Sequence, residues 1–141
     1  MKKYLLLTAI FAGIATAGFS QVKVPATART AFEKAFPGAT NVKWGKEGAT
    51  AYEANFVQHH KHMSAVYDHN GVLQETEETI AIAALPAGVT AYVKEHYKGA
   101  PVKEAAKITK ADGVVNYEAE VNKKDVMFDA QGKFLKEVIE N

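Results

Sequence analysis

Met63-Ser64-Ala65-Val66-Tyr67-Asp68-His69-Asn70-Gly71-Val72 is the stretch on which the fold turns. Met63, Ala65 and Tyr67 recur at every second position, the sign of a strand with one buried face. Asp68-His69-Asn70-Gly71 then reads as a tight turn, because Asn-Gly accepts the positive φ angles of hairpin turns, and Val72 to about Thr79 forms the returning strand. Sixty-one positions on, Val126-Met127-Phe128-Asp129 falls on Ala65-Val66-Tyr67-Asp68, and Gly132 falls on Gly71.

The correspondence extends towards the N-terminus of each stretch. Val24-Pro25 matches Leu85-Pro86, and Phe36-Pro37-Gly38-Ala39 matches Tyr97-Lys98-Gly99-Ala100. Tyr52-Glu53-Ala54 matches Tyr117-Glu118-Ala119 at an offset of 65, and the following hairpin is shorter by the same amount. Compensating loop lengths within a constant order are what a duplicated unit produces. In the second copy Val89, Tyr92, Val93, His96 and Tyr97 follow helical spacing after Pro86, with Gly99 as a stop. The matching face of the first copy is Ala28, Ala31, Phe32, Ala35 and Phe36, ended by Pro37-Gly38.

Each helix is followed by strand patterns. In the first copy these are Asn41 to Lys46, the alternating Tyr52-Glu53-Ala54-Asn55-Phe56, Met63 to Tyr67 and Val72 to Thr79. In the second they are Lys103 to Thr109, Val115 to Asn122, Asp125 to Asp129 and Lys133 to Ile139. His59-His60-Lys61 is a hairpin tip. The expected fold is therefore α+β: two tandem repeats of one helix plus a four-stranded antiparallel sheet, at 22–80 and 85–141, with the sheets joined and the helices on one face. The whole of 22–141 is expected to be one compact unit, because two roughly 60-residue units would each be marginal alone.

Residues 1–20 read as a signal peptide: Lys2-Lys3, a short apolar run from Leu5 to Ile14, and small residues at Gly18 and Ser20 before Gln21. The run is shorter than the roughly 20 residues a membrane-spanning helix needs. These features predict a periplasmic or secreted protein without a membrane span. Of 17 basic and 16 acidic residues, two lysines leave with the leader, so the charge changes from +1 to −1. That balance disfavours nucleic acid as a partner. The absence of cysteine excludes disulfides, thiolate metal sites and a cysteine nucleophile.

Chemistry-bearing residues are few. His59, His60 and His62 are concentrated at one hairpin, with His69 in the next turn; imidazoles bind zinc, copper or nickel. Their spacing matches no standard metal motif, however, and a hairpin tip is a natural place for solvated polar residues. Ser64 is the only serine after the leader and shares a strand face with His62, but residues two apart on a strand stand about 6.5–7 Å from each other. No nucleophile elbow surrounds it. Glu75, Glu77 and Glu78 read as a charged sheet edge or solvent face. Trp44 alternates with Val42 and reads as a core residue. No catalytic residue, cofactor site or metal site is assigned on these grounds.

Phe36-Pro37-Gly38-Ala39 with Val42 and Trp44, Tyr52-Glu53-Ala54-Asn55-Phe56, Val66-Tyr67-Asp68-His69-Asn70-Gly71 and Leu85-Pro86 together resemble the exported PepSY-like family, also called β-lactamase-inhibitor-like. Tyr117-Glu118-Ala119-Glu120-Val121 and Met127-Phe128-Asp129-Ala130-Gln131-Gly132 extend the resemblance over nearly all of 22–141. The resemblance implies a fold similar to that of the β-lactamase inhibitor protein and brings no catalytic motif. The expected function is a non-enzymatic exported module that binds a protein or peptide, with inhibition as a special case. A small-ligand or metal-handling protein using His59, His60 and His62 is the alternative.

Overall fold

The computed structural model describes residues 22–139, so the predicted signal peptide lies outside the described residues. In chain order the elements are α1 (Ala26–Ala35), β1 (Thr40–Glu47), β2 (Ala51–Gln58), β3 (Lys61–Asp68), β4 (Leu73–Thr79), a 3-10 turn (Ile82–Ala84), α2 (Ala87–His96), β5 (Ala105–Lys110), β6 (Val115–Val121), β7 (Lys124–Asp129) and β8 (Phe134–Ile139). Residues 22–60 with 64–74 belong to one compact unit, and 61–63 with 75–139 to a second.

In the first unit Pro25 occupies the N-cap of α1 at φ −56°, with no side-chain cap. Its missing N–H would have lacked a helical partner in any case. Thr27 instead ties the helix start to the hairpin turn, donating from Oγ1 to the carbonyl of His69 at 2.8 Å. Ala28 and Phe32 are the buried residues of the helix. The Phe32 ring lies edge-on to Phe56 at 4.9 Å and to Trp44 at 5.5 Å, with Tyr67 at 6.5 Å. Edge-to-face packing of this kind adds about 0.5–1.5 kcal/mol per pair to simple area burial. Trp44 is half-buried on the outermost strand, with its ring against the Phe32 edge. Ala35 is exposed, but Phe36, the last residue of the expected stripe, is half-buried with its ring 4.7 Å from that of Phe56.

The turn after β3 is built by Asp68, whose Oδ1 accepts from the backbone N–H of Asn70 and Val72. Gly71 sits there at φ +80°, and a Cβ would lie 2.6 Å from the carbonyl oxygen of Thr27. Glycine is thus required both by the turn and by the approach of α1.

In the second unit α2 packs Val89 and Val93 onto Ala105, Ala119, Val121, Val126 and Phe128, closed by Leu85. Tyr92 is stacked between His96 and Phe134, with ring centroids at 3.9 and 4.8 Å. His96 itself is exposed rather than core-facing. Asp129 builds the turn before β8 by accepting from Gln131 and Lys133.

The expected fold class requires correction. The described residues do not form two repeats of a helix with its own four-stranded sheet; they form one antiparallel sheet in the order β1-β2-β3-β4-β5-β6-β7-β8, with two ten-residue helices. Glu75 to Thr79 of β4 pair with Lys110 to Ala106 of β5, so the sheet runs through the predicted boundary. The division into compact units falls inside β3 and β4. The physical reason lies in the backbone: two four-stranded sheets would expose two further rows of unpaired N–H and C=O groups, which the β4–β5 ladder satisfies.

Candidate binding surfaces

Strand register sorts the side chains of the second unit onto two faces, because directly opposed residues point the same way. Ala105, Ala119 and Val126 oppose one another in turn and lie in the α2 core. Their neighbours Ala106, Glu118, Met127 and Lys136 are likewise opposed in turn and occupy the other face. The same face carries the pairs Glu75–Lys110, Glu77–Ile108 and Glu120–Asp125. Its acids therefore outnumber Lys110 and Lys136. Glu75 is 5% exposed and receives a hydrogen bond from Lys110 Nζ at 3.2 Å. Ile108 and Met127 are also buried, while Glu77, Asn116, Glu120 and Val138 are half-buried and Lys136 is exposed. Apolar side chains at the base with charged ends around them give a firm, mixed surface.

Glu75, Glu77 and Glu78 do not mark a sheet edge, because β4 is internal to the sheet. They divide between faces: Glu75 and Glu77 lie on the face away from α2, while Glu78 alternates to the opposite side and pairs with Lys61. A second charged cluster involves Glu137, whose Oε1 accepts from Lys124 at 2.8 Å and Oε2 from the Tyr97 hydroxyl at 2.5 Å. The Lys124 hydrogen bond, followed by that of Tyr97, holds the Glu137 carboxyl below its ordinary value. Burial, reinforced by the bond to Glu137, pushes the Tyr97 hydroxyl up.

His59 and His60 form the two-residue turn between β2 and β3, at φ +50° and +63°, and both are exposed. His62 is exposed on β3, and His69 lies in the following turn. Among the described residues no group of three or more His, Cys, Asp or Glu is placed to hold a metal ion. Ser64 is buried on β3, two positions from His62.

One surface of the first unit was not singled out by sequence patterning. A groove of about 430 Å³ lies between the C-terminal half of α1 and the start of β1, lined by Arg29, Phe32, Glu33, Phe36, Val42 and Trp44 among others. Its only sequence signal is the helix stop Pro37-Gly38 next to the Val42/Trp44 alternation. Recognising a groove also requires knowing that β1 is an outer strand.

No helix among the described residues is long and apolar enough to cross a membrane. No curated protein matches the sequence. Among solved structures, a "putative periplasmic" protein of Bacteroides eggerthii superposes with a TM-score of 0.68 at 15% identity, covering 82% of this chain and 88% of that one. A BLIP-like protein of Bacteroides fragilis gives 0.63 at 23% identity over 84% and 88%. A DUF2874 family protein of Bacteroides uniformis gives 0.67 at 18% over 82% and 88%. At these identities the likeness establishes a shared fold, the BLIP-like one. The profile of the family described as "Putative beta-lactamase-inhibitor-like, PepSY-like" matches residues 50–136, which span most of the chain, and the protein belongs to that PepSY-like family.

Proposed function

We propose that the protein is an exported, non-enzymatic binding module that engages a protein partner through the face of β5–β8 turned away from α2. The observation that carries this reading is the face itself: Ile108 and Met127 at its base, surrounded by Glu77, Asn116, Glu120, Lys136 and Val138. A sheet face is rigid, so little conformational entropy is lost when it is covered. The excess of acids over lysines favours a partner with a basic surface and makes binding weaken as salt rises. The family's description as inhibitor-like supports binding as the activity, with inhibition of a partner enzyme as one form of it. Export rests on the leader-like residues 1–20, with removal near Ser20-Gln21.

The test is site-specific photo-cross-linking in the periplasmic and secreted fractions. A cross-linker at Glu120 or Lys136 is expected to trap one partner that a cross-linker at Lys94, on the exposed side of α2, does not trap. Equal trapping from both positions, or none from the sheet face, would remove the basis for the reading.

A further inference from the structure

The edge of the sheet formed by β1, with the groove beside it, has the features of a peptide site in its own right. Among the described residues β1 pairs with β2 on one side only and begins the strand order, so alternate residues of 43–47 turn backbone N–H and C=O groups outward. The ladder to β2 is interrupted between Thr40 and Lys43, where Asn41 adopts φ +54°. This irregularity confines the regular edge to the stretch around Trp44. Next to it the groove supplies aromatic walls from Phe32, Phe36 and Trp44. Its volume of about 430 Å³ is enough for a bulky side chain.

The polar groups of the groove favour one sign of ligand charge. The Arg29 guanidinium forms no hydrogen bond or ion pair with any described residue, even though Glu33 lies one helical turn away. The indole N–H of Trp44 likewise has no acceptor among the described residues. Both groups are donors. Lys43 adds a further exposed cation on the edge strand, and Glu33 is the one acid among the groove residues. We infer that β1 accepts an extended, carboxylate-bearing segment of a partner protein, which adds as a strand along 43–47 and seats one bulky apolar side chain between Phe36 and Trp44. Backbone pairing would supply affinity, while the aromatic groove and Arg29 would supply selectivity. The chain's own leader is a poor occupant on charge grounds, because residues 1–21 contain no acid.

Trp44 is the sole tryptophan and reports directly on the site. The probe is an acetylated, amidated nonapeptide alternating glutamate with valine, with one central phenylalanine, titrated into the protein while Trp44 emission is followed. The expected result is a saturable change. Replacing glutamate by lysine in the peptide, or Arg29→Gln in the protein, is expected to weaken binding about tenfold, the effect of losing a charge-assisted hydrogen bond. Methylating the peptide amides on one of its two alternating sets should abolish the change, because that set pairs with β1. The inference fails if no saturable change occurs, if the lysine peptide or Arg29→Gln binds as tightly, or if neither methylated set loses binding. It also fails if Trp44 emission changes with protein concentration alone, which would make a second copy the occupant. Arg29 is exposed on α1, so its substitution leaves the core intact. The sheet face of β5–β8 is read out separately by cross-linking at Glu120, so either proposal can fail without the other.

Discussion

Substituting Gly71 by alanine separates two costs that usually occur together. The backbone there has φ +80°, where an L-residue loses about 1–2 kcal/mol to the clash of Cβ with its own carbonyl. The added Cβ would also lie 2.6 Å from the Thr27 carbonyl oxygen and 2.8 Å from its carbon, both backbone atoms that cannot rotate aside. The first turn of α1 must therefore retreat. Retreat breaks the Thr27 to His69 hydrogen bond, about 1 kcal/mol, and opens space beside fully buried Ala28, for about 1 kcal/mol more. The expected loss is about 3–4 kcal/mol. Gly38 provides the control: its φ is +82°, but a Cβ there meets nothing within 4 Å, so Gly38→Ala should lose only the backbone cost, about 1–2 kcal/mol. Equilibrium urea denaturation followed by Trp44 emission and far-ultraviolet circular dichroism gives both values. If the two variants agree within about 0.5 kcal/mol, the seating of α1 on the turn contributes nothing and the reasoning is refuted.

Three further outcomes follow from the same geometry. The Tyr67 hydroxyl is buried with no hydrogen-bond partner among the described residues, so Tyr67→Phe should stabilise the protein by about 1 kcal/mol, and a loss in the same urea assay would reveal an acceptor. The raised Tyr97 hydroxyl contributes stability that is complete below the ordinary value of 10.0 and lost as pH rises above it. Glu137, held low, contributes stability present above its ordinary value of 4.5 and lost as pH falls through its folded-state value. Thermal melts of Tyr97→Phe from pH 3 to 11 should therefore show a shallower alkaline limb than the parent, and identical alkaline limbs would count against the Tyr97–Glu137 bond. His59 and His60 both occupy positive φ, so replacing them with Asn-Gly should raise stability by about 1 kcal/mol, measured by urea denaturation; a decrease would mean the histidines hold the turn by contacts of their own.

The strand and turn assignments were legible because they depend on near neighbours. Alternation in Tyr52 to Phe56 and Met63 to Tyr67 places β2 and β3 within a few residues, and Asp68-His69-Asn70-Gly71 specifies its turn through hydrogen bonds spanning four positions. Helix length was less legible. Ala35 and His96 fit the 3.6-residue period but are exposed, while the neighbouring Phe36 and Tyr97 are half-buried.

Local chemistry determined where helices, strands and turns lie, that leucine- and lysine-rich residues precede them, and that thiol chemistry is absent. Tertiary structure decided what those elements become together. Whether Thr79 ends a separate sheet or continues into β5 depends on a ladder between residues some 30 positions apart, and no local preference encodes that pairing. The same ladder places Glu75 and Glu77, expected at a sheet edge or on a solvent face, on a surface shared with Glu118, Glu120 and Met127. Likewise, only the placement of β1 at the end of the strand order gives Arg29 and Trp44 a common groove. Backbone groups must be paired somewhere, and the partner each strand takes determines which side chains meet.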